Sequence, residues 1–253
     1  MEKRNISLKV NAISIRGEIY APEGASGESH PALCICHGIP AAPPVPNDRG
    51  YPILAERFCA EGFLTVIFNF RGTGGSEGNL DIIGWCQDLE AVIDYLCGMR
   101  EFNEDRLALM GFSGGAAVSV YVAAHDPRIA SVVTCACPAE FSFLAHAEGP
   151  KLLTDHFRSI GAIRDPNFPP SPERWLKGFE DISPIRFIDK IAPRPLLLIH
   201  GSQDEVVKIS HAHALYQKAR EPKELIIIEG GEHRLRRDER AMDAAVTWLK
   251  SQA

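Results

Sequence analysis

The sequence predicts an α/β fold in which a mostly parallel sheet is covered by helices on both faces. Short apolar segments that are typical of strands alternate along the chain with longer segments of helical periodicity. This alternation is typical of parallel sheets, because a helix must carry the chain back between two parallel strands. Right-handed crossovers would then bring the turns that follow these strands to one edge of the sheet.

Length and composition are those of an ordinary globular enzyme. The chain has 253 residues, of which 45% are hydrophobic and 24% are charged, and we interpret residues 1–253 as a single domain. The net charge of -6 gives no reason to expect a nucleic acid or an anionic membrane as a partner. No apolar run approaches the ~18 residues that span a bilayer, and the first residues resemble a strand rather than an export signal. We therefore expect a cytoplasmic protein with a small-molecule substrate. Whether the protein forms a homodimer is left open by the sequence.

The first elements of this fold follow in order from the amino terminus. Residues 6–20 alternate as two strands of an antiparallel edge, and residues 32–36 form a buried strand. A helix over residues 51–61 precedes a strand over residues 64–70. Helical periodicity then predicts a helix over residues 85–96, with one apolar face made of Leu89, Val92, Ile93 and Leu96.

A short apolar strand then runs directly into Gly111-Phe112-Ser113-Gly114-Gly115 and a helix. Strand, G-x-S-x-G and helix is the context of a nucleophile elbow, in which a tight turn lifts the serine hydroxyl above the sheet. Gly111 and Gly115 fit this turn because a Cβ atom at either position would collide with the strand or the helix. A plain glycine turn is the alternative for the pentapeptide taken alone.

A serine hydroxyl needs a base, and the base needs an acid that orients it. Asp204 follows the apolar strand 195–200 and a turn, and the adjacent Glu205 is the fallback acid. The alternative for Asp204 is that it caps the helix that follows. His233 follows the strand 224–228 and a glycine-rich turn, so serine, acid and histidine occur in the order that this architecture requires.

The other histidines are weaker candidates for the base. His211 and His213 lie two residues apart on a predicted helix, and such a pair does not share a face. His37 and His200 each precede a glycine at the end of a strand, where structural hydrogen bonds are expected. We therefore favour His233.

With these motifs the chain resembles the serine hydrolases of the α/β-hydrolase superfamily. It is most similar to the branch with dienelactone-hydrolase-like proteins, small carboxylesterases and prolyl-oligopeptidase-type catalytic domains. The resemblance extends over residues 13–249 and rests on four motifs in family order: Cys36-His37-Gly38-Ile39, residues 69–78, residues 111–115, and the turns at Asp204 and His233. It implies an eight-stranded sheet with a small helical cap.

The resemblance also assigns roles to these positions. It implies that Ser113 is the nucleophile, His233 the general base and acid, and Asp204 the group that holds the imidazole. The backbone N–H groups of Gly114 and Ile39 would form the oxyanion hole, and prolines would stiffen the loop over residues 39–47. Dienelactone hydrolases proper use cysteine and haloalkane dehalogenases use aspartate, so Ser113 favours ester chemistry.

We therefore predict a serine hydrolase that cleaves small to medium carboxylic esters through an acyl-enzyme. A peptidase or amidase, a thioesterase, and a ligand-binding receptor with the hydrolase fold are the alternatives. The chain shows no cluster of residues that indicates a metal or an organic cofactor. The C-x-C pairs at Cys34 and Cys36 and at Cys135 and Cys137 are interpreted as small core residues, each pair facing one side of its strand.

The segment 138–190 interrupts the alternation of strands and helices and predicts a small helical cap over Ser113. Its aromatic residues could line a substrate pocket, although packing of the cap onto the core is the favoured interpretation. Arg158, Arg164 and Arg174 could hold a substrate carboxylate, although solvated arginines are the default.

Overall fold

The computed structural model describes residues 1–23, 30–42, 50–99, 102–142 and 149–252, and of residues 102–105 it describes the backbone alone. In these residues eight strands form one sheet with seven α-helices around it. The strands are β1 (Glu2–Val10), β2 (Ile13–Ala21), β3 (His30–Cys36), β4 (Leu64–Phe68), β5 (Phe102–Phe112), β6 (Ile129–Cys135), β7 (Leu196–Gly201) and β8 (Lys223–Ile228). The helices are α1 (Tyr51–Ala60), α2 (Ile82–Cys97), α3 (Gly114–His125), α4 (Gly149–Ser159), α5 (Pro172–Asp181), α6 (Ile209–Lys218) and α7 (Glu239–Gln252).

The sheet has the strand order β1-β2-β4-β3-β5-β6-β7-β8. Strand β2 pairs antiparallel with both β1 and β4, and every other neighbouring pair is parallel. The predicted mostly parallel sheet with an antiparallel edge is therefore confirmed. In the turn between β1 and β2, Asn11 and Ala12 have left-handed φ values of 48° and 69°. This conformation suits a tight hairpin, although the dipeptide Asn-Ala is not a sequence signal for such a turn.

The two faces of the sheet carry two separate apolar cores. In β3 the side chains alternate, so that Cys34 and Cys36 pack on one face and Leu33 and Ile35 on the other. Helices α1 and α7 cover the face of Leu33, whereas α2, α3 and α6 cover the face of Cys34. Burial on both faces explains why the central strands are almost continuously apolar.

The loop that follows β4 is held by a buried ion pair. The Arg71 guanidinium bonds to both carboxylate oxygens of Asp88 on α2, at 2.7 Å for the shortest contact, and the Arg71 backbone N–H bonds to the same carboxylate at 2.9 Å. Burial raises the pKa of Asp88, and the bonds from Arg71 oppose that shift. The Trp85 indole N–H donates to the Arg71 carbonyl at 3.0 Å, so this loop is anchored from both its side chain and its backbone.

The described part of the segment 138–190 is helical and packs on the α2 side of the sheet. Phe157 on α4 and Trp175 and Phe179 on α5 are buried in the same core as α2, in edge-to-face contacts of 6.0 and 5.2 Å between ring centroids. The Trp175 indole N–H donates to the Leu80 carbonyl at 2.8 Å. These aromatic residues therefore attach the segment to the core. Phe143 and Leu144 lie outside the described residues, and the position of this segment over Ser113 stays a prediction.

Two arginines of this segment make structural contacts. Arg164 donates to the backbone carbonyls of Gly161, Ser76 and Gly74, at 3.1, 2.7 and 3.2 Å. Arg158 pairs with Asp155 at 2.9 Å and donates to the Phe168 carbonyl at 2.7 Å. Arg164 thereby ties the segment to the loop that follows β4, which does not agree with a role as a free substrate-binding cation.

The two C-x-C pairs differ in their surroundings. Cys34 and Cys36 belong to the same core, as predicted. Cys135 and Cys137 face different cores, contrary to the prediction, because β6 ends at Cys135 and Ala136 takes a left-handed φ of 53°. Across the described residues no group of three or more histidine, cysteine or acidic side chains is arranged to hold a metal ion. None of the helices in this part of the chain is both long and apolar enough to cross a membrane.

Candidate active site

Ser113 lies on a sharp turn between β5 and α3. Its φ and ψ are 52° and -123°, a backbone conformation that non-glycine residues rarely adopt. A Cβ atom on Gly111 would lie 2.4 Å from the Ala116 Cα, and one on Gly115 would lie 2.2 Å from the His37 carbonyl oxygen. The turn therefore requires glycine on both sides of the serine, as the motif predicts, and it has the geometry of a nucleophile elbow.

The structure brings Ser113, His233 and Asp204 together at the carboxyl edge of the parallel strands. The His233 Nε2 atom is 3.1 Å from the Ser113 Oγ atom, and the His233 Nδ1 atom is 2.8 Å from the Asp204 Oδ2 atom. The two hydrogen bonds are best satisfied with the proton on Nδ1 donated to Asp204, which leaves Nε2 free to accept the serine proton. The imidazole is 21% exposed, so it can be reached from solvent, whereas the Asp204 carboxylate is buried.

Asp204 does not cap the helix that follows, because α6 begins at Ile209 after its N-cap residue Lys208, but its carboxylate contacts both its own turn and His233. Its Oδ1 atom accepts from the N–H groups of Val206 at 2.9 Å and Val207 at 2.8 Å, and its Oδ2 atom faces His233. Burial favours the neutral form of this carboxyl, but the bonds from His233 and from the Val207 N–H outweigh burial and lower its pKa. Asp204 is therefore ionised at neutral pH and oriented by its own turn. The fallback acid, Glu205, is exposed.

Ile39 and Gly114 lie side by side next to the serine. A Cβ atom on Gly114 would lie 2.6 Å from the Ile39 Cγ1 atom, and one on Gly38 would lie 3.1 Å from the Ser113 Cβ atom. In the described part of the chain neither the Ile39 N–H nor the Gly114 N–H donates to a protein acceptor. Two backbone donors are thus available beside the Ser113 hydroxyl. Of the proline-rich loop, residues 43–47 lie outside the described residues.

The other histidines at this edge have structural partners. His37 Nε2 accepts from the Phe70 N–H at 3.1 Å, and His37 Nδ1 lies 2.8 Å from the Gly38 carbonyl oxygen. His200 Nε2 bonds to the Val207 carbonyl at 2.8 Å, which supports the turn that holds Asp204. His211 Nδ1 accepts from the Ala139 N–H at 3.0 Å. Among the hydrogen bonds described for these histidines, the one to the Ser113 hydroxyl belongs to His233.

The neutral state of His37 predicts a dependence of stability on pH. Burial lowers the pKa of His37 to about 4, against the smaller opposing effect of its bond to Gly38. Between pH ~6.5 and ~4 the unfolded chain takes up a proton that the folded protein does not, so stability falls as the pH falls. We expect His37 to contribute a loss on the order of 2 kcal/mol in the free energy of unfolding, measured by urea denaturation at both pH values.

The matched variants for this prediction are His37→Asn and His213→Asn. His213 is exposed on α6, so its replacement should leave the dependence on pH as it is in the wild type. The His37→Asn variant should lose part of that dependence, and the rest belongs to groups such as His200, whose pKa is also lowered by burial. An unchanged dependence in His37→Asn would contradict the prediction.

Tyr51 is a neighbour of the site that the sequence did not reveal. Its hydroxyl accepts from the Gly38 N–H at 3.3 Å, and its ring lies edge-on against Phe112 with centroids 5.6 Å apart. The guanidinium of Arg236, three residues after His233, lies 5.6 Å from the centre of the Tyr51 ring. No local sequence motif predicts these contacts, because they form only when α1 packs against the sheet.

Known protein sequences are similar to much of this chain. Residues 12–167 match the family model described as X-Pro dipeptidyl-peptidase (S15 family). The uncharacterized protein YfhR of Escherichia coli K12 is 31% identical over 173 residues, which are 68% of this chain and 53% of YfhR. The uncharacterized protein Rv2307c of Mycobacterium tuberculosis is 28% identical over 86% of this chain and 67% of its own length. The chain thus matches about half to two thirds of the length of these relatives.

Solved structures share the whole fold. The hypothetical protein PA2218 from Pseudomonas aeruginosa aligns with a TM-score of 0.75 and 20% identity, over 100% of this chain and 94% of its own. Est1E from Butyrivibrio proteoclasticus with bound ferulic acid aligns with a TM-score of 0.75 and 19% identity, over 98% of both chains. Together with the family match, these observations show that the chain belongs to the X-Pro dipeptidyl-peptidase (S15) family, within the α/β-hydrolase superfamily of serine hydrolases.

Proposed function

We propose that this protein is a serine hydrolase that cleaves carboxylic esters of small to medium size through an acyl-enzyme. The observation that carries the proposal is the continuous hydrogen-bond chain from Ser113 to His233 and from His233 to the buried Asp204, at 3.1 and 2.8 Å. A hydroxyl in this arrangement can lose its proton to the imidazole as it attacks, which neither a lone serine nor a plain glycine turn would allow.

In the acylation step Ser113 Oγ attacks the ester carbonyl carbon while His233 Nε2 takes the hydroxyl proton. Negative charge develops on the carbonyl oxygen, where the N–H groups of Ile39 and Gly114 donate to it. When the intermediate collapses, the C–O bond to the alcohol breaks and His233 returns its proton to the leaving alkoxide. In deacylation His233 removes a proton from the water that attacks the acyl-enzyme. When the second tetrahedral intermediate collapses, the bond to Ser113 Oγ breaks, His233 returns the proton to this oxygen, and the carboxylic acid is released.

Asp204 serves both steps without exchanging a proton. Its carboxylate is kept ionised by His233 and the Val207 N–H, as its lowered pKa indicates. It therefore stabilises the imidazolium that forms in each half-reaction and keeps the Nδ1 proton pointing away from Ser113. The bonds from Val206 and Val207 fix the carboxylate plane, so the imidazole is oriented before the substrate arrives.

Ester substrates are favoured by chemistry and by the structural neighbours. An alkoxide is a better leaving group than an amide nitrogen. An activated serine without additional catalytic groups therefore cleaves esters faster than amides. Two neighbours of this fold support that choice: Est1E, solved with ferulic acid, and an esterase domain from Rhodothermus marinus. The expected partner is therefore a small ester rather than a nucleic acid or a membrane.

Peptide cleavage is the second candidate, and the family match favours it. The family model is described as an X-Pro dipeptidyl-peptidase and covers residues 12–167, which include the elbow and the proposed oxyanion donors. The same Ser113, His233 and Asp204 would serve this reaction, with an amine in place of the alcohol. The two candidates differ only in the leaving group and in what holds the substrate.

We also propose that the segment 138–190 is the cap of this site. It follows β6 directly, and β6 ends beside the elbow, where the Ser113 N–H donates to the Cys135 carbonyl at 2.8 Å. A segment that leaves the sheet at this point is well placed to bound the substrate pocket. Its attachment through Arg164 and Trp175 supports a fixed wall rather than a loose flap.

The decisive experiment is intact-mass analysis after treatment with a fluorophosphonate, followed by rate measurements. We expect the wild type to take up one label on Ser113 and the His233→Ala variant to label at least ~10²-fold more slowly, because the base is gone. The matched His213→Ala variant, changed at an exposed position on α6, should label like the wild type.

The choice between ester and peptide then depends on relative kcat/KM. We expect p-nitrophenyl esters to be cleaved with a higher kcat/KM than Ala-Pro-p-nitroanilide. The reverse preference in a protein that labels on Ser113 would establish the peptidase instead. The absence of any label in well-folded protein would refute a serine hydrolase of either kind.

A further inference from the structure

The peptide units on both sides of Gly38 are held by two side chains. On one side the Gly38 N–H donates to the Tyr51 hydroxyl at 3.3 Å. On the other side the Gly38 carbonyl oxygen lies 2.8 Å from His37 Nδ1. His37 Nε2 accepts from the Phe70 N–H at 3.1 Å and also lies 3.0 Å from the Thr73 hydroxyl. The bond from Phe70 favours the tautomer with the proton on Nδ1, where it can be donated to the Gly38 carbonyl.

The bond to the Gly38 carbonyl controls the direction of the Ile39 N–H. The carbonyl of Gly38 and the N–H of Ile39 belong to one planar peptide unit, in which the two groups point in opposite directions. A donor that fixes the carbonyl therefore fixes the N–H as well. The same bond polarises the amide, which makes the N–H a stronger donor to developing negative charge.

Tyr51 is itself immobilised by three parts of the site. Its ring packs edge-on against Phe112, the residue before the nucleophile, with centroids 5.6 Å apart. The centre of its ring lies 6.0 Å from the centre of the His37 ring and 5.6 Å from the Arg236 guanidinium. Burial raises the pKa of Tyr51 to about 12 and lowers that of His37 to about 4, so both groups are neutral across the working pH range.

We propose that His37 and Tyr51 are positioning residues that hold the Gly38 peptides and thereby aim the Ile39 N–H at the oxyanion formed on the Ser113 adduct. This inference rests on the proposed function and adds to it a pair of side chains that act through the backbone without touching the substrate. Their effect is expected in the tetrahedral intermediate and the transition states that flank it, because the carbonyl oxygen carries negative charge there and not in the bound substrate.

The test compares Tyr51→Phe with Tyr20→Phe on a p-nitrophenyl ester. The first change removes the hydroxyl and keeps the ring that packs on Phe112. The second removes a hydroxyl bonded to Glu18 in β2, away from the site, and serves as the matched control. We expect Tyr51→Phe to lower kcat about 10-fold with KM within about twofold, and Tyr20→Phe to change neither.

Affinity for a boronic acid, which forms a tetrahedral adduct on the serine, should fall in Tyr51→Phe by about the same factor as kcat/KM. The His37→Leu variant should lose about 10²-fold in kcat, and His37→Asn, whose amide can still donate to the Gly38 carbonyl, should recover part of that loss. A purely structural role would instead lower the yield of active enzyme and leave kcat per labelled site unchanged. That result, or a Tyr51→Phe variant with the kcat and boronic acid affinity of the wild type, would overturn the proposal.

Nitrogen-15 NMR of the His37 ring gives a readout that does not need turnover. We expect a neutral ring with the proton on Nδ1 from pH 5 to pH 8, which the Phe70 and Gly38 bonds dictate. A proton on Nε2 would overturn the proposal even if every variant folded poorly. A wild type that cleaves no ester would refute the proposed function, whereas wild-type kinetics in Tyr51→Phe would overturn this inference and leave that function in place.

Discussion

The Ser113→Ala variant is expected to lose about 10⁴-fold or more in kcat on an ester that the wild type cleaves. Alanine removes only the Oγ atom that lies 3.1 Å from His233 Nε2, so the attack and the covalent intermediate are both lost. The remaining rate comes from water that reaches a carbonyl bound near the Ile39 and Gly114 N–H groups. Stopped-flow and steady-state measurements on one p-nitrophenyl ester check this expectation.

The fold should survive this change, which makes the loss interpretable. Ser113 makes its fold-determining hydrogen bonds through its backbone, to Cys135, Ala116 and Ala117, and these remain in alanine. The matched control is Ser119→Ala on α3, which removes a buried hydroxyl bonded to the Gly115 carbonyl at 2.8 Å. The control should keep nearly full kcat. Activity of Ser113→Ala within about tenfold of the wild type would rule out Ser113 as the nucleophile.

The positions of Ser113, Asp204 and His233 could be inferred from the sequence because each follows a strand end in a glycine-containing turn. Strand ends are visible as apolar runs, and parallel pairing forces their carboxyl ends to one edge of the sheet. The strand pairing confirms this arrangement, with β5, β6, β7 and β8 all parallel. Residues far apart in the chain could therefore be placed together without any contact being known.

Tyr51 could not be inferred in the same way. It is the first residue of α1, and nothing in its neighbourhood distinguishes it from a residue that begins any helix. Its value to the site comes from the angle at which α1 packs on the sheet, which brings the hydroxyl within 3.3 Å of the Gly38 N–H. Packing angles depend on the fit of many side chains and leave no periodic signal.

The structural role of Arg164 also could not be inferred from the sequence. Its charge made it a candidate for binding a substrate carboxylate, yet its guanidinium is used by the carbonyls of Ser76 and Gly74, which lie more than eighty residues earlier in the chain. Every residue has a backbone carbonyl group, so the sequence does not show which of these groups will accept a hydrogen bond from an arginine. Whether an arginine is free for a ligand therefore depends on tertiary contacts rather than on residue type.

The Asp204→Asn variant is expected to lose about 10³- to 10⁴-fold in kcat with the fold intact. Asparagine can keep its Oδ1 atom on the Val206 and Val207 N–H groups, so the turn is retained. Its amide nitrogen then faces His233 Nδ1, where the carboxylate oxygen lies 2.8 Å away in the wild type. An N–H donor at this position selects the tautomer with the proton on Nε2, and that nitrogen can no longer accept the proton of Ser113.

The tautomer argument separates this loss from a general loss of structure. Nitrogen-15 NMR should show the His233 proton move from Nδ1 to Nε2, and labelling by a fluorophosphonate should slow together with kcat. Asp126→Asn, which removes a carboxylate paired with Arg128 at 2.6 Å beyond α3, should leave both unchanged. Glu205→Gln should also be without effect, because Glu205 is exposed beside the buried acid. If Asp204→Asn instead kept kcat within about tenfold while Glu205→Gln lost it, the orienting acid would be Glu205, and the bonds of Asp204 to Val206 and Val207 would be its whole role.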